Sequence, residues 1–263
     1  MKLHHLRSAT FIIESGPHRI LVDPMLGEAG SIPPFAVARF KARRNPTVGL
    51  PDGAQAQLDA VTHCLLTHSQ TFGLKVLQHQ DHLDAEGERF LRQRHTPVVT
   101  GAPDQAYLKR LGLNVSQALT PWQPQPFLGG TITAVPAQHG HGWIHRVMAN
   151  GIGFYLELPG EPSLYISGDT VLTDDVRRAL IELKPDIAIL AAGQAQMDVG
   201  QPLLMAGQEL VEFVRLAPGS VVANHMEALN HCPVDRPTLA KMMSEAGLAS
   251  RVRIPADGQT LAF

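Results

Sequence analysis

The chain has 263 residues, and its 44% hydrophobic and 17% charged residues are typical of a folded globular protein and exclude a disordered one. Its net charge is -2 and no basic run is longer than two residues, so we expect no nucleic-acid partner. No apolar stretch approaches the roughly 20 residues of a membrane span. Residues 1–7 also lack a secretory signal, so we expect a cytoplasmic protein without membrane contact.

The first half of the chain predicts strands and one long loop. Residues 9–14 and 19–24 flank a Ser-Gly-Pro turn, which indicates a β-hairpin. Residues 27–59 are rich in Gly and Pro and predict a loop of the length that often covers a functional site. Residues 60–67 and 98–100 predict strands, and residues 104–111 predict a helix.

The second half predicts strands that alternate with helices. The predicted strands are residues 131–135, 153–158, 163–167, 187–190 and 220–223, and the predicted helices are residues 174–183, 207–216 and 236–246. Two packed sheets with helices outside them account for this order, so we predict an α/β fold, a four-layer αββα sandwich. No linker divides the chain, and we expect one domain over residues 1–263.

Histidine and aspartate are concentrated directly after predicted strands. Thirteen histidines are present, and imidazole is the commonest metal-binding side chain. A hydrolytic metal needs imidazole and carboxylate ligands with one position left open, and it lowers the pKa of bound water from about 15.7 to about 7. The candidate segments are Thr67-His68-Ser69, His79-Gln80-Asp81-His82-Leu83-Asp84, Gln138-His139-Gly140, Gly168-Asp169-Thr170 and Asn224-His225-Met226.

These segments resemble the metallo-β-lactamase superfamily, in the order and approximate spacing of its motifs. His79-Gln80-Asp81-His82 is similar to the second half of its H-x-H-x-D-H signature, and Thr67-His68 to the first half. The resemblance spans nearly the whole chain and looks closest to single-domain members related to sugar-phosphate lactonases. It implies a cofactor of two divalent metal ions, with Zn expected first and Mn or Fe as alternatives.

The resemblance also implies a role for each matching residue. The first ion would be held by His68, His79 and His139, and the second by Asp81, His82 and His225, with Asp169 bridging both. Asp81 would also be catalytic, because it would orient the attacking hydroxide. Asp23, at the end of its strand, is expected to fix one of the ligand imidazoles.

One departure from the family pattern concerns the first two histidines. One residue separates them in the signature, whereas residues 69–78 separate His68 from His79 here. Removal of residues 70–78 would restore the match, so we interpret these nine residues as an insertion. The sequence leaves open whether His68 still reaches the metal across it.

The sequence supports two main functions and leaves the substrate open. The first is hydrolysis of a small-molecule ester, lactone, amide or phosphodiester by metal-bound hydroxide. The alternative is a metal-binding homologue with reduced or lost catalysis, because ligand geometry tolerates little displacement. Redox chemistry at a di-iron site is disfavoured, since such relatives carry a glutamate where His79 stands. The oligomeric state is open, and four histidines are expected on the surface: His4, His5, His18 and His95.

Overall fold

The computed structural model describes residues 1–148 and 150–263, in which fourteen strands form two mixed sheets of seven strands each. The first sheet has the order β14-β1-β2-β3-β4-β5-β6, with β1 Lys2–Arg7, β2 Thr10–Ser15, β3 His18–Val22, β4 His63–Leu66, β5 Val98–Gly101, β6 Val115–Leu119 and β14 Thr260–Ala262. The second has the order β13-β12-β11-β10-β9-β8-β7, with β7 Gln125–Phe127, β8 Gly130–Pro136, β9 Ile152–Glu157, β10 Leu164–Ile166, β11 Ile187–Ala191, β12 Ser220–Asn224 and β13 Val252–Arg253.

Helices cover the outer face of each sheet. Their bounds are α1 Ala54–Asp59, α2 Ala85–Gln93, α3 Gln105–Arg110, α4 Asp174–Arg178 with a π-helical continuation over Ala179–Leu183, α5 Gln208–Leu216 and α6 Arg236–Glu245. Helices α1, α2 and α3 pack on the first sheet, and α4, α5 and α6 pack on the second. The predicted four-layer αββα sandwich is therefore confirmed.

Successive side chains of a strand point to opposite faces of the sheet, which explains how one strand contributes to two separate hydrophobic cores. In β4, Leu65 points between the sheets, whereas Cys64 and Leu66 point towards α2 and α3. A strand that lies between two layers must therefore carry apolar side chains on both of its faces. Leu65 is fully buried, and its replacement by Ala would cost about 2–5 kcal/mol.

Several predicted elements are confirmed and two expectations are wrong. The first hairpin forms as β2 and β3, but the long loop ends earlier than predicted, because residues 54–59 form α1. His4 and His5 are buried rather than on the surface, because they lie in β1, which pairs with β2 and β14. The ring of His4 contacts Thr260 and Glu14 at 2.8 and 2.9 Å, which satisfies both of its nitrogens. None of the described helices is long and apolar enough to cross a bilayer.

Candidate metal centre

The predicted ligands lie together at one edge of the sandwich, where strands end. His68 follows β4 by two residues, Asp169 follows β10 by three, and His225 follows β12 directly. Strand β4 runs parallel to β3, and β10, β11 and β12 run parallel to one another. Because parallel strands end at the same edge, their following loops deliver these side chains to one place.

Two glycines stand at backbone positions beside the predicted ligands Asp169 and His225, where a larger residue would be strained or would clash. Gly168 has φ +63°, a left-handed conformation that favours glycine, and it forms the turn that presents Asp169. Gly193 packs against the backbone of His225, where an added Cβ would lie 2.0 Å from the carbonyl oxygen of His225. A larger residue at either position would move a predicted ligand.

The first ligand group is formed by three buried imidazoles, those of His68, His79 and His139. One nitrogen of each lies within 4.8 Å of the others, in an arrangement that could hold a metal ion. Nε2 of His68 is 3.2 Å from Nδ1 of His79, and their ring centroids are 4.5 Å apart. The structure therefore brings together the two histidines that the insertion separates in the sequence.

The two ends of the insertion, residues 70–78, pair with each other, as the ends of a hairpin loop do. The backbone N–H of His79 donates to the carbonyl oxygen of Ser69 at 2.9 Å, and Gln70 pairs with Gln78 in an antiparallel bridge. The two glutamines also fasten the loop to the protein, since Gln70 donates to Asp104 at 2.9 Å and Gln78 accepts from Tyr107 at 2.6 Å. The nine residues thus loop outwards without displacing His68 from His79.

The second ligand group consists of Asp81, His82, Asp169 and His225, all buried. Oδ2 of Asp169 is 3.1 Å from Nε2 of His82 and 3.3 Å from Nε2 of His225. Oδ2 of Asp81 lies 3.8 and 3.7 Å from the same two nitrogens. Asp169 is also within reach of the first group, because its Oδ2 is 3.6 Å from Nε2 of His139.

Each of the five imidazoles contacts a neighbouring residue through the nitrogen that faces away from its group. His82 donates through Nδ1 to Asp23 at 2.9 Å, so Asp23 makes the predicted contact with an imidazole of the candidate centre. The other four contacts are His68 Nδ1 with Thr67 Oγ1 at 3.0 Å, His79 Nε2 with Thr71 Oγ1 at 3.2 Å, His139 Nδ1 with the Leu203 carbonyl oxygen at 3.1 Å and His225 Nδ1 with Cys232 Sγ at 3.7 Å. Partners of this kind fix the orientation of metal-binding imidazoles.

Burial sets the charge of the first group. It lowers the pKa of His79 to about 3, with a further contribution from His139, and it lowers the pKa of His68 well below the usual value. It also lowers the pKa of His139. All three rings are therefore neutral near pH 7, which is the form that binds a metal ion.

The second group concentrates negative charge. Burial alone would lower the pKa of His82, but the carboxylates of Asp169, Asp23 and Asp81 raise it to about 10. Burial alone would raise the pKa of Asp169, but the neighbouring His225 and His82 lower it well below its usual value. The carboxylates therefore favour positive charge in this group. Protons on the imidazoles can supply that charge, or a metal ion can bind in place of those protons.

The buried environment of the Asp169 carboxylate tests whether the residues of the two groups suit a metal ion. Both of its carboxylate oxygens are buried, and neither makes a hydrogen bond of regular geometry among the described residues, although Oδ2 lies 3.1–3.6 Å from three imidazole nitrogens. A buried carboxylate without regular hydrogen bonds is costly unless positive charge compensates it. Imidazole nitrogens from both groups surround it, and nitrogen and oxygen ligands of this kind suit Zn, Mn or Fe. The donor set therefore fits divalent transition-metal ions.

Sequence reasoning missed several residues that contact the predicted ligands. Thr71 lies inside the insertion, and nothing in the sequence indicated its contact with His79. Leu203 contributes a backbone carbonyl, which no side-chain pattern can reveal. His231 is buried, whereas His141 belongs to neither group and contacts Glu209 at 3.1 Å.

A cavity of about 350 Å³ opens over the centre. His79, Asp81 and His139 line it, together with Phe35 from the long loop and His231. A larger cavity, of about 480 Å³, lies beside Thr67, and none of the seven predicted ligands lines it. The smaller cavity is therefore the one that gives access to the centre.

The chain is similar to known proteins along its whole length. A family profile described as a beta-lactamase superfamily domain matches residues 18–226. The UPF0173 protein YddR of Bacillus subtilis is 28% identical over 266 residues, which cover 100% of both chains. A UPF0173 metal-dependent hydrolase of Alkaliphilus metalliredigens is 28% identical and covers 76% of each chain. Isothiocyanate hydrolase from Delia radicum gut bacteria has a crystal structure with a TM-score of 0.87 and 29% identity, covering 100% of this chain and 99% of that chain.

The fold and the cluster of imidazoles and carboxylates define a class of metallo-hydrolase. The chain belongs to the metallo-β-lactamase superfamily, as its resemblance to that superfamily predicted. Together with the relatives named as metal-dependent hydrolases, this makes the chain a metal-dependent hydrolase. The alternative of a homologue that binds metal without catalysis is not favoured.

Proposed function

We propose that the chain hydrolyses a small molecule at a centre of two divalent metal ions. His68, His79 and His139 hold one ion in this proposal, and the second ligand group holds the other. The observation that carries it is the position of Asp169, whose buried Oδ2 lies 3.1 Å from Nε2 of His82 in one group and 3.6 Å from Nε2 of His139 in the other. A carboxylate in that position can bind both ions.

Two bound ions, with Zn expected first and Mn or Fe as alternatives, would supply Lewis acidity and lower the pKa of water to about 7. Asp81 lines the cavity, so its carboxylate can accept a hydrogen bond from the attacking water and orient it. Asp23 holds the ring of His82, and through the hydroxyl of Thr67 it holds the ring of His68. These contacts keep the imidazoles in place while the substrate reacts.

The size of the cavity supports a small-molecule substrate. A volume of about 350 Å³ lies at the lower end of the range for ligand pockets, which is about 300–1,000 Å³. Esters, lactones, amides and phosphodiesters are substrates whose hydrolysis needs an activated water and a polarised oxygen.

Isothiocyanates are a second candidate class of substrate. The observation that favours them is the 29% identity to isothiocyanate hydrolase over the full length of both chains. In this reaction the oxygen of water adds to the central carbon and the carbon–nitrogen bond breaks. The two protons of water end on nitrogen, so the products are an amine and carbonyl sulfide.

Activity after metal removal and reloading tests the proposal. The protein is stripped with a chelator, reloaded separately with Zn, Mn and Fe, and assayed on one ester, lactone, amide, phosphodiester and isothiocyanate. We expect turnover of at least one class only after reloading, and its loss in Asp81→Asn and Asp169→Asn. Asp186→Asn, which changes an exposed carboxylate bonded to Ser163, is the control. Undiminished turnover by the metal-free protein would contradict the proposal, and full metal loading without turnover of any class would favour a non-catalytic homologue.

A further inference from the structure

Apolar side chains form part of the wall of the cavity over the candidate metal centre, where Thr71, Gln78, Gln80 and His231 also line it. Four separate segments contribute the apolar side chains: the long loop, the insertion, residues 147–148 and residues 197–203. The apolar side chains are those of Pro33, Phe35, Val76, Leu77, Val147, Met148, Met197 and Leu203. Apolar side chains beside polar ones are typical of sites that bind the apolar part of a small molecule and orient its polar part.

Charge in the cavity is confined to the proposed ligands. Apart from Asp81 and the ligand histidines, the described lining residues include no Lys, Arg, Asp or Glu. Anionic groups such as phosphates are usually bound by Arg or Lys, which can pair with them. Apart from the proposed metal ions, the described lining of the cavity therefore offers no cationic side chain to an anionic substituent of the substrate, such as a phosphate.

The insertion exposes apolar side chains at the mouth of this cavity. Val76 is 84% exposed and Leu77 is 41% exposed, and both line the cavity. Phe72 lies in the same loop and is 70% exposed, but it does not line the cavity. A ligand that covers Val76 and Leu77 removes apolar surface from water, which favours binding.

We propose that the insertion, residues 70–78, determines substrate specificity by selecting neutral molecules with an apolar substituent. Val76 and Leu77 pack against the substituent while the reacting group lies over Asp81 and the ligand histidines. This inference rests on the proposed function, because it places the reaction at the metal centre beneath the cavity. The contacts of Gln70 and Gln78 with Asp104 and Tyr107 hold the loop in that position.

Matched substrate pairs test this inference on the metal-loaded protein. One pair is the 4-nitrophenyl esters of butyric acid and of succinic acid, the second of which carries a carboxylate. The other is benzyl isothiocyanate and its 4-carboxy derivative. We expect kcat/KM to favour the neutral member of the pair by at least about tenfold. Equal kcat/KM for both members would overturn the inference, and the proposed function would stand.

Two variants of the same loop separate a contact from a general effect of charge. We expect Val76→Lys to reduce the preference for the neutral substrate by at least about tenfold, because it places a cation at the cavity wall. Phe72→Lys adds the same charge at an exposed position outside the cavity and should leave the preference within about twofold. Equal effects of the two variants would overturn the assignment of the wall to Val76.

A binding measurement tests the inference if the protein turns over neither of the two substrate pairs. The methyl NMR signals of Val76 and Val147 are followed while benzyl alcohol or 4-carboxybenzyl alcohol is added to the metal-loaded protein. Shifts with benzyl alcohol alone would support the inference even where the proposed reaction classes fail. The absence of shifts with benzyl alcohol, or equal shifts with both alcohols, would overturn it.

Discussion

Asp23 and His82 are joined by a hydrogen bond of 2.9 Å between Oδ2 and Nδ1, at the carboxyl end of β3. The same oxygen accepts from the hydroxyl of Thr67 at 2.8 Å, and that hydroxyl contacts Nδ1 of His68 at 3.0 Å. One carboxylate therefore orients an imidazole in each of the two ligand groups. Asp23 has φ +45°, a conformation that is uncommon for residues other than glycine and recurs at functional sites.

Replacement of Asp23 by Ala should weaken metal binding without removing a ligand. Loss of a residue that orients a metal-binding imidazole lowers affinity by about 10–100-fold. We expect Asp23→Ala to show this loss in a competition titration with a chromogenic chelator. Asp186→Asn is the matched control, because Asp186 lies far from the centre and bonds Ser163. Unchanged affinity in Asp23→Ala would contradict the role given to this carboxylate.

Thr71 should support the first ligand group through His79. Its hydroxyl is 3.2 Å from Nε2 of His79, and Val has almost the same shape without the hydroxyl. We expect Thr71→Val to lower the affinity for one of the two ions by roughly tenfold and Thr71→Ser to keep it, as measured by the same titration. Equal affinities in the two variants would show that the hydroxyl contributes nothing.

Stability of the metal-free protein should be greatest near pH 6.5. Burial lowers the pKa of His79 to about 3 and of His231 to about 4, so below pH 6.5 the unfolded chain takes up protons that the folded chain does not. Stability therefore falls as the pH falls through that range. The pKa of His82 is raised to about 10 by Asp169, Asp23 and Asp81 against the effect of burial, so stability also falls as the pH rises from 6.5 to 10.

Urea unfolding of the metal-free protein at pH 5, 6.5 and 9 checks this dependence. The midpoint should be highest at pH 6.5 and lower at both other values. A midpoint that rises steadily from pH 5 to pH 9 would contradict the charge states assigned to the two ligand groups.

His231 should contact the substrate in the cavity. Its Nδ1 is buried without a hydrogen-bond partner among the described residues, and its ring packs edge-on against Phe35 with centroids 4.9 Å apart. Burial lowers the pKa of His231 to about 4, so near pH 7 the ring is neutral and offers one N–H. Loss of a donor to developing negative charge lowers kcat by about 10²–10³-fold.

Two substitutions of His231 distinguish a substrate contact from a packing role. His231→Phe keeps an aromatic ring against Phe35 but removes the donor, so we expect kcat to fall by about 10²-fold with KM changed by less than about threefold. His231→Asn keeps a donor and should recover part of that loss. Steady-state kinetics on the substrate identified in the reloading assay provide the measurement, and a kcat of His231→Phe close to the wild-type value would indicate packing alone.

The sequence predicted the fold and the segments that carry the candidate ligands for a shared physical reason. Buried strands and the turns that follow them leave local patterns, and residues 60–67 and 163–170 contain both the apolar strand and the polar turn that ends it. The position of His68 beside His79 could not be predicted in this way, because it depends on the hydrogen bond between Ser69 and His79 across the insertion. Burial of His4 and His5 was missed for a similar reason, since β1 is covered by β14 from the far end of the chain.

The seven ligand residues themselves remain a prediction, which the structure supports by their proximity. The number of bound ions depends on whether His68 takes part. Asp169 and His139 lie at the junction of the two groups, so their loss would affect both ions. His68 and His225 each belong to one group, and their variants can separate the two ions.

Metal content per chain is the measurement that tests the central claim most directly. Protein purified without added metal is analysed by mass spectrometry as the wild type, His68→Ala and His225→Ala. We predict about two ions per chain in the wild type and about one in each variant, because each substitution removes a ligand from one group only. One ion or none in the wild type, unchanged by His68→Ala, would contradict a two-ion centre that includes His68.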